Sequence, residues 1–190
     1  MALRLVAAVA AATALLAPAA YGASDRPQVR DAKGDVRGGM AELDIVSARW
    51  STAGRGADEA LVVTMTLAAA PKDGVPFAYH VRADVRDCGE VSFSYHPGSV
   101  SARQDGNVST GWAACGDGIY DDVVTTTVKG TTITWSMPVA VLPSQVRPGA
   151  VFTKFEALAD ASEPIFGYSV AGIADEPLDY AQGDGSWRMA

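Results

Sequence analysis

Apolar and polar residues alternate with a period of two through most of this chain. Such alternation marks strands that bury one face and wet the other. From Asp44 to Trp50, Val46, Ala48 and Trp50 share one side and Ser47 and Arg49 the other. After a glycine-bearing polar turn, Leu61, Val63, Met65 and Leu67 oppose Val62, Thr64 and Thr66, so the two segments read as an antiparallel pair. The cleanest alternation sets Phe77, Tyr79, Val81, Ala83 and Val85 against His80, Arg82 and Asp84. Val91, Phe93 and Tyr95 open a further short strand. Val123 to Val128 and Thr131 to Met137 flank Lys129-Gly130 as a tight hairpin, with Ile133, Trp135 and Met137 turned inward. Val151 to Leu158 and Ile165 to Val170 complete the strands, Pro138 to Pro143 is too short for more than a helical turn, and Ile173 to Ala190 reads as an acidic tail with two glycines. Eight or nine short strands separated by turn residues predict an all-β fold, a single antiparallel β-sandwich.

The first residues follow another pattern. Arg4 precedes an uncharged apolar run, Leu5 to Leu16, and two small-residue patterns at Ala17 to Gly22. That is the form of a cleaved signal peptide, and the run is shorter than the roughly 20 residues a spanning helix needs. The expected division is residues 1–23 as leader and 24–190 as the β-sandwich domain, secreted and free of the membrane after cleavage. Secretion changes the reading of Cys88 and Cys115, the only two cysteines, which then form one structural disulfide.

The formal net charge is −7, and loss of Arg4 leaves 14 basic against 22 acidic residues, or −8. This balance disfavours nucleic acid and anionic surfaces and favours cations. The acids concentrate where it matters: Asp31 to Ile45 reads DAKGDVRGGMAELDI, with Asp31, Asp35 and Asp44 separated by Gly34, Gly38 and Gly39. Calcium takes six to eight oxygens, which a glycine-curled turn supplies readily. The spacing is not that of an EF-hand, and a solvated turn whose aspartates cap backbone amides is the competing reading.

The same residues carry a resemblance. Asp31-Ala-Lys-Gly34-Asp35, a gap of about eight residues, then Leu43-Asp44-Ile45 before an alternating strand resembles the opening of secreted bacterial domains of the DOMON and family 9 carbohydrate-binding-module type, and of the accessory domain attached to glucodextranase-like enzymes. The resemblance implies a jelly-roll-like sandwich, a structural calcium, and in some members a sugar or haem site on one sheet. It carries Asp31, Asp35 and Asp44 over as calcium ligands, and Asp175, in Ala174-Asp175-Glu176-Pro177, as a further one.

Candidate chemistry elsewhere is thin. There is no GxSxG elbow, HExxH pair or phosphate loop. The two histidines, His80 and His96, lack a nucleophile motif, and Met65 faces the core rather than a haem. The loop Pro97 to Asp122, tethered at Cys115, holds Trp112 and Tyr120, which with Tyr95 form a candidate aromatic platform for a sugar. Trp50 and Trp135 read as core. The expected function is a monomeric, non-catalytic secreted binding module with a calcium site, its partner an extracellular polysaccharide or cell-wall glycan. The alternatives are a module or inhibitor that binds a secreted protein and, further off, a glycoside-type hydrolase using two facing carboxylates.

Overall fold

The computed structural model describes residues 26–72, 77–97, 109–115, 123–161 and 178–190, with only the backbone described at 109–112 and 161. The leader and the strand expected at Ile165 to Val170 lie outside these residues. Two five-stranded antiparallel sheets pack face to face. The strands are β1 (Val29–Arg30), β2 (Ile45–Ala53), β3 (Ala60–Leu67), β4 (Phe77–Val85), β5 (Gly89–His96), β6 (Ser109–Ala114), β7 (Thr125–Lys129), β8 (Thr132–Pro138), β9 (Val151–Ala161) and β10 (Asp179–Arg188). The first sheet runs β1-β2-β3-β8-β7 and the second β10-β9-β4-β5-β6. The expected all-β antiparallel sandwich is therefore the observed fold.

Alternation becomes a core as the pattern requires. Leu61, Val63 and Met65 of β3 and Ile133, Trp135 and Met137 of β8 are fully buried from one sheet, and Tyr79, Val81 and Phe93 from the other. Trp50 is the centre of the interface: its ring meets Phe93 edge-on at 5.7 Å and tilts against Phe152 and Phe155 at 5.4 and 6.3 Å. Trp135 is held from the facing sheet too, since its indole Nε1 donates to the Ser94 carbonyl at 3.0 Å. Each large side chain withdrawn from water in this way contributes about 1.5 to 3 kcal/mol.

Two irregularities reset the alternation. The β2–β3 register shifts between Ile45 and Ser47, so Ile45 is buried where Val46 was expected to face inward. In β9, Lys154 has φ 49, which turns the chain so that Phe152 and Phe155, three residues apart, both reach the core.

The expected acidic tail is instead β10, an edge strand of the second sheet. Tyr180 and Gln182 face outward while Ala181, Trp187 and Met189 are buried, with Trp187 at 5.0 Å from Phe152. Its glycines hid the alternation. Gly183 is needed because β10 passes so close to β1 that a Cβ there would lie 2.2 Å from the Gln28 carbonyl oxygen. This close pass brings the edge strands β1 and β10 of opposite sheets together.

Candidate metal centre

The corner where β1 and β10 meet collects aspartates from three separated parts of the chain. Asp31 follows β1, Asp44 precedes β2, and Asp179 begins β10. Backbone bonds fix the loop between the first two: Asp31 N–H donates to the Val46 carbonyl at 3.1 Å and Arg37 N–H to the Leu178 carbonyl at 3.0 Å. Gly34, at φ 95, turns its N–H onto Asp44 Oδ2 at 2.7 Å, a backbone conformation that favours glycine. Asp179 Oδ2 accepts the Ile45 N–H at 2.6 Å across 134 positions of sequence, tying the start of β10 to the start of β2.

One carboxylate oxygen each from Asp31, Asp35 and Asp179 lies within 4.8 Å of the others. Asp44 adjoins this group, close enough for its charge to act on Asp31, but is not one of the three that converge. The oxygens can be accounted for individually. Asp31 Oδ1 accepts the Ala32 N–H, and both Asp179 oxygens accept backbone N–H groups, from Ile45 and Tyr180. Asp31 Oδ2 and Asp44 Oδ1 are buried and have no hydrogen-bond partner. Leaving such a group unsatisfied costs about 1 to 3 kcal/mol, more when it is charged.

The electrostatics point the same way. Burial raises the Asp31 carboxyl above its usual range against the Ala32 hydrogen bond, and the charges of Asp35 and Asp44 raise it further. Burial likewise raises Asp179, against its hydrogen bond from Ile45, with Asp31 and Asp35 adding to the rise. Two like charges 4.8 Å apart repel by about 3 kcal/mol at an effective dielectric near 20. That exceeds the roughly 1 kcal/mol of a net hydrogen bond. The cluster therefore favours uptake of positive charge, a proton or a cation. The donors are all oxygen, the set that suits calcium or magnesium rather than a soft metal.

The other candidates lie as follows. Asp175 and Tyr120 fall outside the described residues, and Trp112 is placed only by its backbone, in β6. Tyr95 is not a platform: it is buried at 5 % exposure and stacks on Tyr79 at 6.0 Å, because its position in β5 carries it to the core side. Cys88 and Cys115 are disulfide-bonded, with Cα atoms 4.3 Å apart. Trp50, Trp135 and Met65 are fully buried. Asp179 was missed in the sequence, where it stood as one acid in an apparent tail.

The outward face of the second sheet carries a second polar group of residues. Glu156 of β9 pairs with Arg82 of β4 and accepts from the Tyr180 hydroxyl at 2.8 Å and from Gln182 Nε2 at 3.3 Å. Tyr180 is 40 % exposed. Further along, His80 and His96 stand edge to face at 5.3 Å, and His80 Nε2 lies 3.9 Å from Asp160 Oδ2. Burial, with Arg82 nearby, pushes the His80 imidazole below its usual pKa and so favours the neutral ring.

The chain matches no family model and no curated protein sequence. No helix among the described residues is long and apolar enough to cross a membrane.

Proposed function

We propose that this chain is an extracellular, non-catalytic binding module whose two sheets are joined at one corner by a calcium ion. One observation carries the reading: carboxylates from the loop after β1 and from the start of β10 converge beside two buried carboxylate oxygens, Asp31 Oδ2 and Asp44 Oδ1, that lack hydrogen-bond partners. Asp31, Asp35 and Asp179 would hold the ion, with Asp44 beside them. Calcium would supply charge neutralisation and the missing partners, and would act as a cross-link between edge strands of opposite sheets. The leader-like N-terminus and the disulfide support an extracellular setting, where calcium is abundant.

The outward face of the second sheet is the surface we assign to the module's ligand, an extracellular polysaccharide. Tyr180 offers an exposed ring there, flanked by the hydrogen-bonding groups of Glu156 and Gln182. Stacking plus adjacent polar groups is the chemistry a pyranose requires. Thermal unfolding in millimolar calcium and in chelator tests the ion: a rise in Tm with calcium is expected, and identical melting curves would refute it. Affinity electrophoresis in gels containing soluble polysaccharides tests the ligand. Retardation of the wild type with loss of retardation in Tyr180→Ala is expected. No retardation on any glycan, with a secreted protein captured instead, would replace the glycan by a protein partner.

A further inference from the structure

We propose that the outer face of the first sheet is a second binding surface, for an acidic polysaccharide whose carboxylates seat on Arg30 and Arg49. It shares no residue with the Tyr180 surface of the second sheet and does not depend on it. The net charge of −7 is unevenly divided. The five strands of the first sheet carry three charged residues, Arg30, Arg49 and Lys129, and all are basic. The strands of the second carry six acids and three bases. At physiological ionic strength fields fade over about 8 Å, and packed sheets lie about 10 Å apart, so a ligand on one outer face is largely screened from acids on the other.

Register turns the three bases and a set of hydroxyls to the same side. Arg30, Ser47, Thr66, Thr132 and Lys129 are paired in one row across all five strands. The next row is Arg49, Thr64, Thr134 and Thr127. Val29, Ala48, Met65 and Ile133, their neighbours along the strands, are buried, so both rows face outward. Arg30 and Arg49 are diagonal neighbours, about 7 to 8 Å apart at the backbone. Lys129 closes the far end of the first row, four strand spacings or about 19 Å from Arg30.

Arg49 carries the argument. Its Nε is buried without a hydrogen-bond partner, and among the described residues neither Arg49 nor Arg30 has an ion-pair partner. Arg82 on the opposite face differs, since it is paired with Glu156. A guanidinium left in this way is completed by an oxyanion, which its fork can take bidentately. The surroundings select the kind of anion. The hydroxyls of Ser47, Thr64, Thr66, Thr132 and Thr134 can each donate and accept, as sugar hydroxyls do. The aromatic residues in the strands of this sheet, Trp50 and Trp135, are fully buried. The face therefore presents no ring for the base stacking that single-stranded nucleic acid uses. A sugar polymer bearing carboxylates matches both the guanidinium groups and the hydroxyl rows.

The experiment titrates the full chain, in calcium, into fluorescently labelled hyaluronan oligosaccharides, which carry regularly spaced uronate carboxylates, and follows anisotropy. Saturable binding that weakens with added salt is expected, with much weaker binding of the methyl-esterified oligosaccharide and of single-stranded DNA of equal charge. Arg30→Gln combined with Arg49→Gln should weaken binding about tenfold or more, the equivalent of about one charged hydrogen bond. Tyr180→Ala should leave it unchanged. Thr127→Glu sets a repelling charge in the row of Arg49, at an exposed position of the edge strand β7. It should weaken binding with no fall in Tm, which separates a lost surface from a lost fold. No saturable binding of hyaluronan by the folded wild type overturns the proposal. DNA binding of equal strength also overturns it, because charge alone would then select the ligand. Affinity that survives the double arginine substitution and falls with Tyr180→Ala overturns it too, moving the glycan to the second sheet.

Discussion

The second sheet is closed at its two ends by different chemistry. At one end Cys88, in the turn after β4, is bonded to Cys115 just beyond β6, and the Cys115 N–H donates to the Glu90 carbonyl at 3.3 Å. At the other end Asp179 opens β10 beside Asp31 and Asp35, and two buried carboxylate oxygens lack partners. The first closure is covalent and electrically neutral, and the chain supplies all of it. The second gathers carboxylates whose charges raise one another's pKa. Ten strands set both ends with equal regularity, so the difference lies in side-chain chemistry rather than in the backbone. A cross-link built from repelling charges is conditional on what the solvent supplies, and that condition separates the two ends experimentally.

The largest effect should come from the covalent end. A crosslink spanning 27 positions limits the unfolded chain, and its loss typically costs about 2 to 4 kcal/mol. Cys88→Ser with Cys115→Ser should lower stability by that amount in denaturant titrations, and by equal amounts with and without calcium. A loss that changed with calcium would mean the two ends are coupled, and would break the comparison.

At the charged end, calcium at about 100 times its Kd should add about 2.7 kcal/mol. Asp31→Asn should abolish most of that increment. In chelator the same variant should be at least as stable as the wild type, because it removes a repelling charge while keeping the oxygen that accepts from Ala32. A variant markedly weaker than the wild type in chelator would show that Asp31 serves the fold through contacts of its own rather than through an ion.

Gly183→Ala probes the seam beneath that corner. A methyl placed 2.2 Å from the Gln28 carbonyl oxygen must push β10 and β1 apart, and overpacking of this kind costs about 1 to 3 kcal/mol. If the seam positions Asp179 against Asp31, the calcium increment should shrink along with the stability. Stability lost at constant calcium increment would separate the packing of the edge strands from the assembly of the aspartates.

The same contrast governs what was legible in the chain. Period-two alternation revealed β3, β4 and β8 with their inward faces, since Leu61, Val81 and Trp135 each sit among alternating neighbours. Cys88 and Cys115 could be paired because there were no others. Asp31 and Asp35 stood out because glycines surround them. Asp179 did not, since its place in the corner depends on β10 crossing beside β1, a contact between residues some 150 positions apart that leaves no local pattern. Gly183 and Gly185 made β10 look like a tail, although one answers a close backbone approach and the other, at φ 94, a bulge in the β9–β10 ladder. Tyr95 misled for the opposite reason. A tyrosine near a polar loop suggested an exposed ring, yet its parity with Val91 and Phe93 already placed it on the buried face.

The smallest expected effect belongs to the strip between the two ends. Glu156 is partly buried, which would raise its carboxyl, but hydrogen bonds from Tyr180, Arg82 and Gln182 and the Arg82 charge outweigh that and lower it below the ordinary 4.5. An acid with a depressed folded-state pKa binds fewer protons folded than unfolded between the two values, so its contribution is present above pH 4.5 and is lost as pH falls through the folded value. Arg82 is more than a third exposed, so solvent screening keeps the contribution below about 1 kcal/mol. Glu156→Gln should therefore melt slightly below the wild type at neutral pH and converge with it on acidification below 4.5, in both calcium and chelator. A gap that stayed constant with pH would show that the loss does not come from the charge of Glu156. A gap that opened only in calcium would mean that the ion's influence reaches beyond its corner, into the middle of β9.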